Sequence, residues 1–228
     1  MKQRKVVDVT GSGFRLDMSM MFAVHDALRR DLVQVARIAA AADGSPGKLL
    51  HAALGWEIFK KFLTVHHASE DLAVWPVLRV HVAGQPDQAA VVDAMEAEHA
   101  AIDPLLAATD AAAADPDSGH ARLGDLVDTL VTTLNGHLAH EESEGLALID
   151  FSLTAEEWKH FSDVHRERIG GDRTLYLPWL LDEASQQTLT TILGGFPEQL
   201  LTLYREQWGP NYASLDLWGA DSRPAAYS

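Results

Sequence analysis

The sequence predicts an all-α protein: an up-down-up-down four-helix bundle with an additional C-terminal helical extension. Three observations carry this. Apolar residues recur at three- and four-residue steps through four long runs, the spacing that lines one face of a helix. Glycine and proline fall mostly between those runs, at "AADGSPGK" (Ala41–Lys48), "HVAGQPDQ" (His81–Gln88) and "DPDSG" (Asp115–Gly119). No segment sustains the strict alternation of a half-buried strand. Four helices of about 25 residues joined by short breaks pack by default as an up-and-down bundle.

Residues 1–16 read as an N-terminal arm. The first helix begins at Asp17 and carries Met18, Met21, Phe22, His25, Leu28, Leu32 and Val35, with Asp17 or Ser19 as its cap. The second runs from Lys48 to Ala73, where Trp75-Pro76 closes or kinks it. The third spans Asp87 to Ala114 and the fourth His120 to Ile149, so the bundle occupies residues 17–150.

Residues 151–228 differ in character. "TAEEWKHF" opens with Thr154 and Glu157 in capping-box spacing. Shorter helices follow near Glu156–Ile169, Asp182–Leu193 and Pro197–Trp208. Four of the six tryptophans and all four tyrosines lie beyond residue 150, too aromatic a composition for a solvated linker. This extension is expected to pack on the bundle or on a partner subunit, as a homodimer or with another protein.

Composition narrows the class. A chain of 228 residues that is 47% apolar can bury a core. Cysteine is absent, which excludes disulfides, thiolate zinc sites and iron–sulfur clusters and fits a reducing compartment. The basic start "MKQRK" has no apolar stretch behind it, and no run of about 18 apolar residues occurs. The expectation is a soluble, cytoplasmic protein with no membrane role. A net charge of −15 repels phosphate backbones, so no nucleic-acid partner is expected.

Against this background two stretches stand out: "TVHHASEDLAVWPVL" (Thr64–Leu78) and "NGHLAHEESEGLALI" (Asn135–Ile149). Each places a histidine and a glutamate four residues apart, His66 with Glu70 and His137 with Glu141, so that both side chains share a helix face. The other two helices each carry one histidine in an apolar run, His25 in "MMFAVHDAL" and His99 in "AMEAEHAAI". A lone His-x-x-x-Glu is ordinarily a surface pair worth a few tenths of a kcal/mol, and a lone histidine on an apolar face is ordinarily a hydrogen-bonded core residue. The inference rests on the set.

Height along the bundle tests the set. His25 lies about 20 residues before the first break and His66 about 21 after it, a difference of about 2 Å at the helical rise. His66 and Glu70 lie about 18 and 14 residues before the second break, and His99 about 15 after it. His99 lies about 18 before the third and His137 about 20 after it. All six side chains fall within about one helical turn of a common level. Imidazole and carboxylate donors together suit iron, manganese, zinc or copper. Two carboxylates able to bridge, with imidazoles on either side, favour a pair of metals, di-iron or di-manganese. His67 and His140 are open to three roles: supporting residue, substitute ligand or solvated side chain. Asp71, Glu142 and Glu144 read as an outer solvated face, and Asp103 as a surface residue or one that reaches the site. His51, His81, His120, His160 and His165 have no matching geometry.

The segments "FAVHDALRRDL", "HHASEDLAVWPVL", "EAEHAAIDPLL" and "HLAHEESEGLALI", in this order, resemble the hemerythrin-like family, the HHE cation-binding domain. The resemblance implies a hemerythrin-like bundle with a non-haem di-iron centre, two iron ions joined by an oxo or hydroxo bridge, although manganese and zinc suit the same donors. It carries over His25, His66, Glu70, His99, His137 and Glu141 as ligands. One departure matters: oxygen-carrying members have two histidines four apart on the third helix, and here the positions four before and four after His99 are Met95 and Asp103. Water, Asp103, His67 or a tail tyrosine could fill the place. Simple reversible oxygen carriage is thereby in doubt. The expected function is binding, sensing or detoxifying O2, NO or peroxide, catalase-like in its enzymatic form; the alternative is an iron- or oxygen-responsive binding module without turnover.

Overall fold

The computed structural model describes residues 13–40, 46–115 and 117–219. Most of the expected arm, the centre of the first break and Tyr227 lie outside the described residues. Four rods form the bundle. The first is α1 (Ser19–Ala39). The second is α2 (Pro46–Ala52), α3 (Leu54–Ala73) and α4 (Trp75–His81) in succession. The third is α5 (Pro86–Ala114), and the fourth is α6 (His120–His140), a π turn at Glu141–Gly145 and α7 (Leu146–Ser152). α1 packs against α3 and α6, and α5 against α6 and α4. Among the described residues there is no strand, and no helix is long and apolar enough to cross a membrane.

The second rod corrects the expectation of one helix over 48–73. Ala53 is extended, at φ −73° and ψ 115°, and separates α2 from α3. The cause lies far along the chain. The Gly55 N–H donates to the Leu217 carbonyl at 2.6 Å, and a Cβ on Gly55 would lie 2.4 Å from the Trp218 ring. The rod is interrupted where the end of the extension docks on it. The kink at Trp75-Pro76 is present: α3 ends at Ala73, and Pro76, lacking an N–H, sits in the first turn of α4.

The extension comprises α8 (Ala155–Ile169), α9 (Arg173–Leu181), α10 (Gln186–Gly194), α11 (Glu198–Leu203), a π turn at Tyr204–Trp208 and α12 (Gly209–Ala213). Thr154 and Glu157 form the capping box at the start of α8. α8 lies on α3, and α9 and α10 lie on α1. α9 was not foreseen, and the helix expected from Asp182 starts at Gln186, because Glu183 takes a left-handed backbone at φ 56° and Ser185 then caps α10. A buried polar knot ties α9 to α1: Trp179 Nε1 donates to Asp31 Oδ2 at 2.7 Å. Arg30 donates to Asp31 Oδ1 at 2.8 Å and to the carbonyls of Trp179 and Asp182 at 2.8 and 2.7 Å.

The apolar core is split into two clusters. One holds Leu28, Leu32, Phe62, Leu63, Ile102, Leu134 and Leu138, joined by Tyr176 and Trp179 of the extension. The other holds Met21, Phe22, Ala73, Trp75, Met95, Leu146 and Ile149, joined by Trp158 and Phe161. On every rod the change from one cluster to the other falls at the level of His25, His66–Glu70, His99 or His137–Glu141. The bundle is thus cut by one buried polar layer.

Candidate metal centre

That layer contains every candidate ligand. His25, Glu70 and Glu141 are 0% exposed, His66 and His137 1%, His99 5%. The ligand atoms fall into two groups, each within 4.8 Å: His25, His66, Glu70 and Glu141, and then His67, His99 and His137. Within them His25 Nε2 lies 3.1 Å from His66 Nε2, and His99 Nε2 lies 3.1 Å from His137 Nε2. Glu70 spans the two groups, with Oε1 3.3 Å from His66 Nε2 and Oε2 3.6 Å from His99 Nε2. Glu141 Oε2 does the same, 3.2 Å from His25 Nε2 and 3.9 Å from His137 Nε2.

His67 is the addition. It follows His66 by one residue and lies about 100° around the helix from it, yet it too is buried. α3 has the extension's α8 on one flank and the rest of the bundle on the other, so its buried arc is wide enough for both rings. The His67 ring stacks on His99 with centroids 4.0 Å apart and planes 12° from parallel, and meets His137 edge-on at 5.0 Å. Of the four occupants open for the place opposite Met95, the structure brings His67 to it. Met95 is fully buried, and Asp103 is exposed.

The π turn shapes the fourth rod at its ligand. π turns insert one residue into a helix and are found often at functional sites. Here the turn begins at Glu141, and a Cβ on Gly145 would lie 3.0 Å from Glu141 Cγ. Glycine leaves the room that the Glu141 side chain occupies.

Asp71 and Glu142, expected on a solvated face, have a positioning role instead, and Glu98 shares it. Asp71 Oδ1 is 2.7 Å from His99 Nδ1. Glu98 Oε2 is 3.0 Å from His137 Nδ1, and its other oxygen is 2.8 Å from His140 Nδ1. Glu142 Oε1 is 2.9 Å from His25 Nδ1 and accepts from Arg29 at 2.7 Å. Each contact fixes Nδ1 as the donor and turns Nε2 inward. The three acids follow one rule. Each is the sequence neighbour of a candidate ligand on its own rod, and each holds the imidazole on the next rod round the bundle. The fourth step is missing. Asp26, beside His25, has a side chain 57% exposed and pairs with Arg29 at 3.7 Å. His66 meets His165 of α8 instead, ring centroids 6.3 Å apart. This corrects the reading of His165 as unrelated to the site. Three of the remaining histidines can be placed: His81 is exposed and pairs with Glu157 at 2.9 Å, and His51 and His160 are exposed.

The electrostatics fit a cation. Burial pushes the Glu70 carboxyl well above its usual range, and the nearby Glu141 and Asp71 charges add to this. Glu141 is itself buried, but His25, His137 and His99 hold it below the usual value. Burial opposes protonation of His25, but Glu141 and Glu142 raise it to about 9. Burial and neighbouring imidazoles push His66 and His67 well down, which leaves neutral rings with lone pairs to donate. Both oxygens of Glu70, both of Glu141 and Nε2 of His67 are buried with no hydrogen-bond partner. Leaving such atoms unsatisfied costs several kcal/mol in total, and a cation bound among them satisfies all five.

The hemerythrin HHE cation binding domain matches this chain over residues 17–149, a span that contains all seven buried donors. No curated protein and no solved structure gives a significant match. The match covers more than half of the sequence and coincides with the four rods and their polar layer, and on that ground the chain belongs to the hemerythrin HHE cation-binding family.

Proposed function

We propose that this protein holds a non-haem di-iron centre and binds, senses or breaks down a small ligand: O2, NO or peroxide. One observation carries the reading. Two buried donor groups are linked by Glu70 and Glu141, whose four oxygens have no other partner. Bound iron supplies electrons and a position for the ligand. The chain supplies the rest. Glu70 and Glu141 hold the two halves at a short separation and contribute the negative charge. His25, His66, His67, His99 and His137 present ring nitrogens, three of them aimed by Glu142, Asp71 and Glu98. Met21, Phe22, Phe62, Leu63, Leu134 and Leu138, all buried, keep water from the layer. The test is an optical spectrum with metal quantification before and after exposure to oxygen, peroxide and nitric oxide. A spectrum indifferent to all three, in protein loaded with iron, overturns the reading.

A second reading is favoured by His165. This residue of the extension sits against His66, so α8 touches the centre directly. An iron- or oxygen-responsive module would pass occupancy to a partner through the extension without turnover. Steady-state peroxide consumption by the iron-loaded protein separates the two: turnover supports catalase-like breakdown, and its absence supports the module.

A further inference from the structure

The two halves of the centre do not reach the surface in the same way. Beside His66 there is a small pocket of about 80 Å³, walled by Met20, Met21, Val24, Phe161, Ser162 and His165, with no carboxylate to take the place of an ion's water. Beside His67 and His99 there is an open groove of about 450 Å³ between α3 and α5. Its floor is the two imidazoles, and Asp71, Glu96 and Asp103 line its walls. No lysine or arginine lines it. Arg79 bonds Glu96 at 2.6 Å from outside, Asp71 holds His99, and Asp103 is exposed, without a cationic partner among the described residues. One polar atom of the floor, His67 Nε2, is buried and unpartnered.

From this we infer that the groove between α3 and α5 is the route by which a divalent cation reaches the centre, guided by Asp71, Glu96 and Asp103 and received first by His67 and His99. The inference rests on the metal-centre reading and adds the route to it. A hydrated ion exchanges its water in steps, first for exposed carboxylates and then for imidazoles, and the groove presents donors in that order. Walls of one sign of charge concentrate the opposite ion and raise its rate of arrival by about tenfold or more. The closed half has no counterpart: its four donors are at most 1% exposed, so its ion passes through the open half.

The test is stopped-flow uptake of Co²⁺ by full-length protein stripped of metal, followed by cobalt absorption. At roughly 10 mM ionic strength charges act over about 30 Å. Ala100→Lys, which sets an ammonium on an exposed wall position, is expected to slow uptake about tenfold. Asp103→Asn should slow it by about threefold. Both differences should shrink as salt rises, with final metal content unchanged. Ser162→Lys, at the small apolar pocket, should load at the wild-type rate. If Ala100→Lys and Asp103→Asn load as fast as wild type, or Ser162→Lys is the slow variant, the route is overturned while the centre stands. Wild-type protein that takes up no cation overturns the centre and the route together.

Discussion

The half of the centre built from His25, His66, Glu70 and Glu141 differs from the half built from His67, His99 and His137 in charge and in cover. The first owns both carboxylates, is at most 1% exposed and lies under α8, with Phe161 and His165 above His66. The second has only imidazole donors of its own, shares the reach of Glu70 Oε2, and opens on an acidic groove with His67 6% and His99 5% exposed. A cation in the closed half would be neutralised by its own ligands; one in the open half would depend on the shared carboxylates. The extension contributes to this asymmetry: α8 packs on α3 beside His66, while the groove beside His67 is lined by α3 and α5.

The largest expected effect comes from Glu70, which joins the halves. Glu70→Gln should lower metal content in both and remove the stabilisation that bound metal gives, about 4 kcal/mol where free metal exceeds Kd a thousandfold. The metal-free proteins should rank the other way. Wild type then buries a carboxyl with both oxygens unpartnered, and the amide does not carry that ionisation penalty. Thermal unfolding with and without chelator reads both orders, and a variant that keeps full metal removes Glu70 from its linking role.

Next in size is His67→Ala, which touches the open half alone. Chelator should withdraw metal from wild type in two phases, the fast one from the open half, and the variant should lack the fast phase. Two unchanged phases would return His67 to the status of a packed core ring. Asp71→Asn should act in the same half but more gently. It weakens the support of His99 Nδ1 and should lower affinity there by about 10- to 100-fold. Glu142→Gln should do the same for His25 in the closed half, and titration of metal into each variant shows which phase moves.

The smallest effect concerns the cover. Glu157 is held down to about 2 by the Thr154 backbone N–H and by His81. Its folded value lies below the unfolded one, so its contribution is present above about 4.5 and is lost as pH falls through about 2. Thr154→Ala should cost α8 about 1 kcal/mol, and Glu157→Gln should flatten the acid-side loss of stability. His81→Ala should leave metal content untouched; a large loss of metal there would mean that height along the rods does not decide which histidines converge.

The closed half could be read in full from the sequence, and the open half only in part. His25, His66, Glu70, His99, His137 and Glu141 follow from helical spacing and equal distance from the breaks, and both are local properties. Spacing leaves the role of His67 open, because a residue next to a ligand points about 100° away from it. Only the packing of α5 and α6, which sets His99 and His137 against the His67 ring, shows that this direction is also interior. The same rule concealed Asp71, Glu98 and Glu142, which look outward from their own rod and inward from the next. The pairs Glu70-Asp71, Glu98-His99 and Glu141-Glu142 are a visible signal, an acid adjacent to a ligand, but His25-Asp26 shows the same adjacency on the remaining rod without the contact. The break at Ala53 and the left-handed Glu183 had no such signal, since the first depends on Leu217 and Trp218 and the second on how the extension turns across α1.

Metal analysis of protein purified without chelators tests the linked pair of donor groups most directly. The expected result is about two ions per chain in wild type and about one in His67→Ala. No metal in wild type, or an equal count in the two proteins, would contradict it.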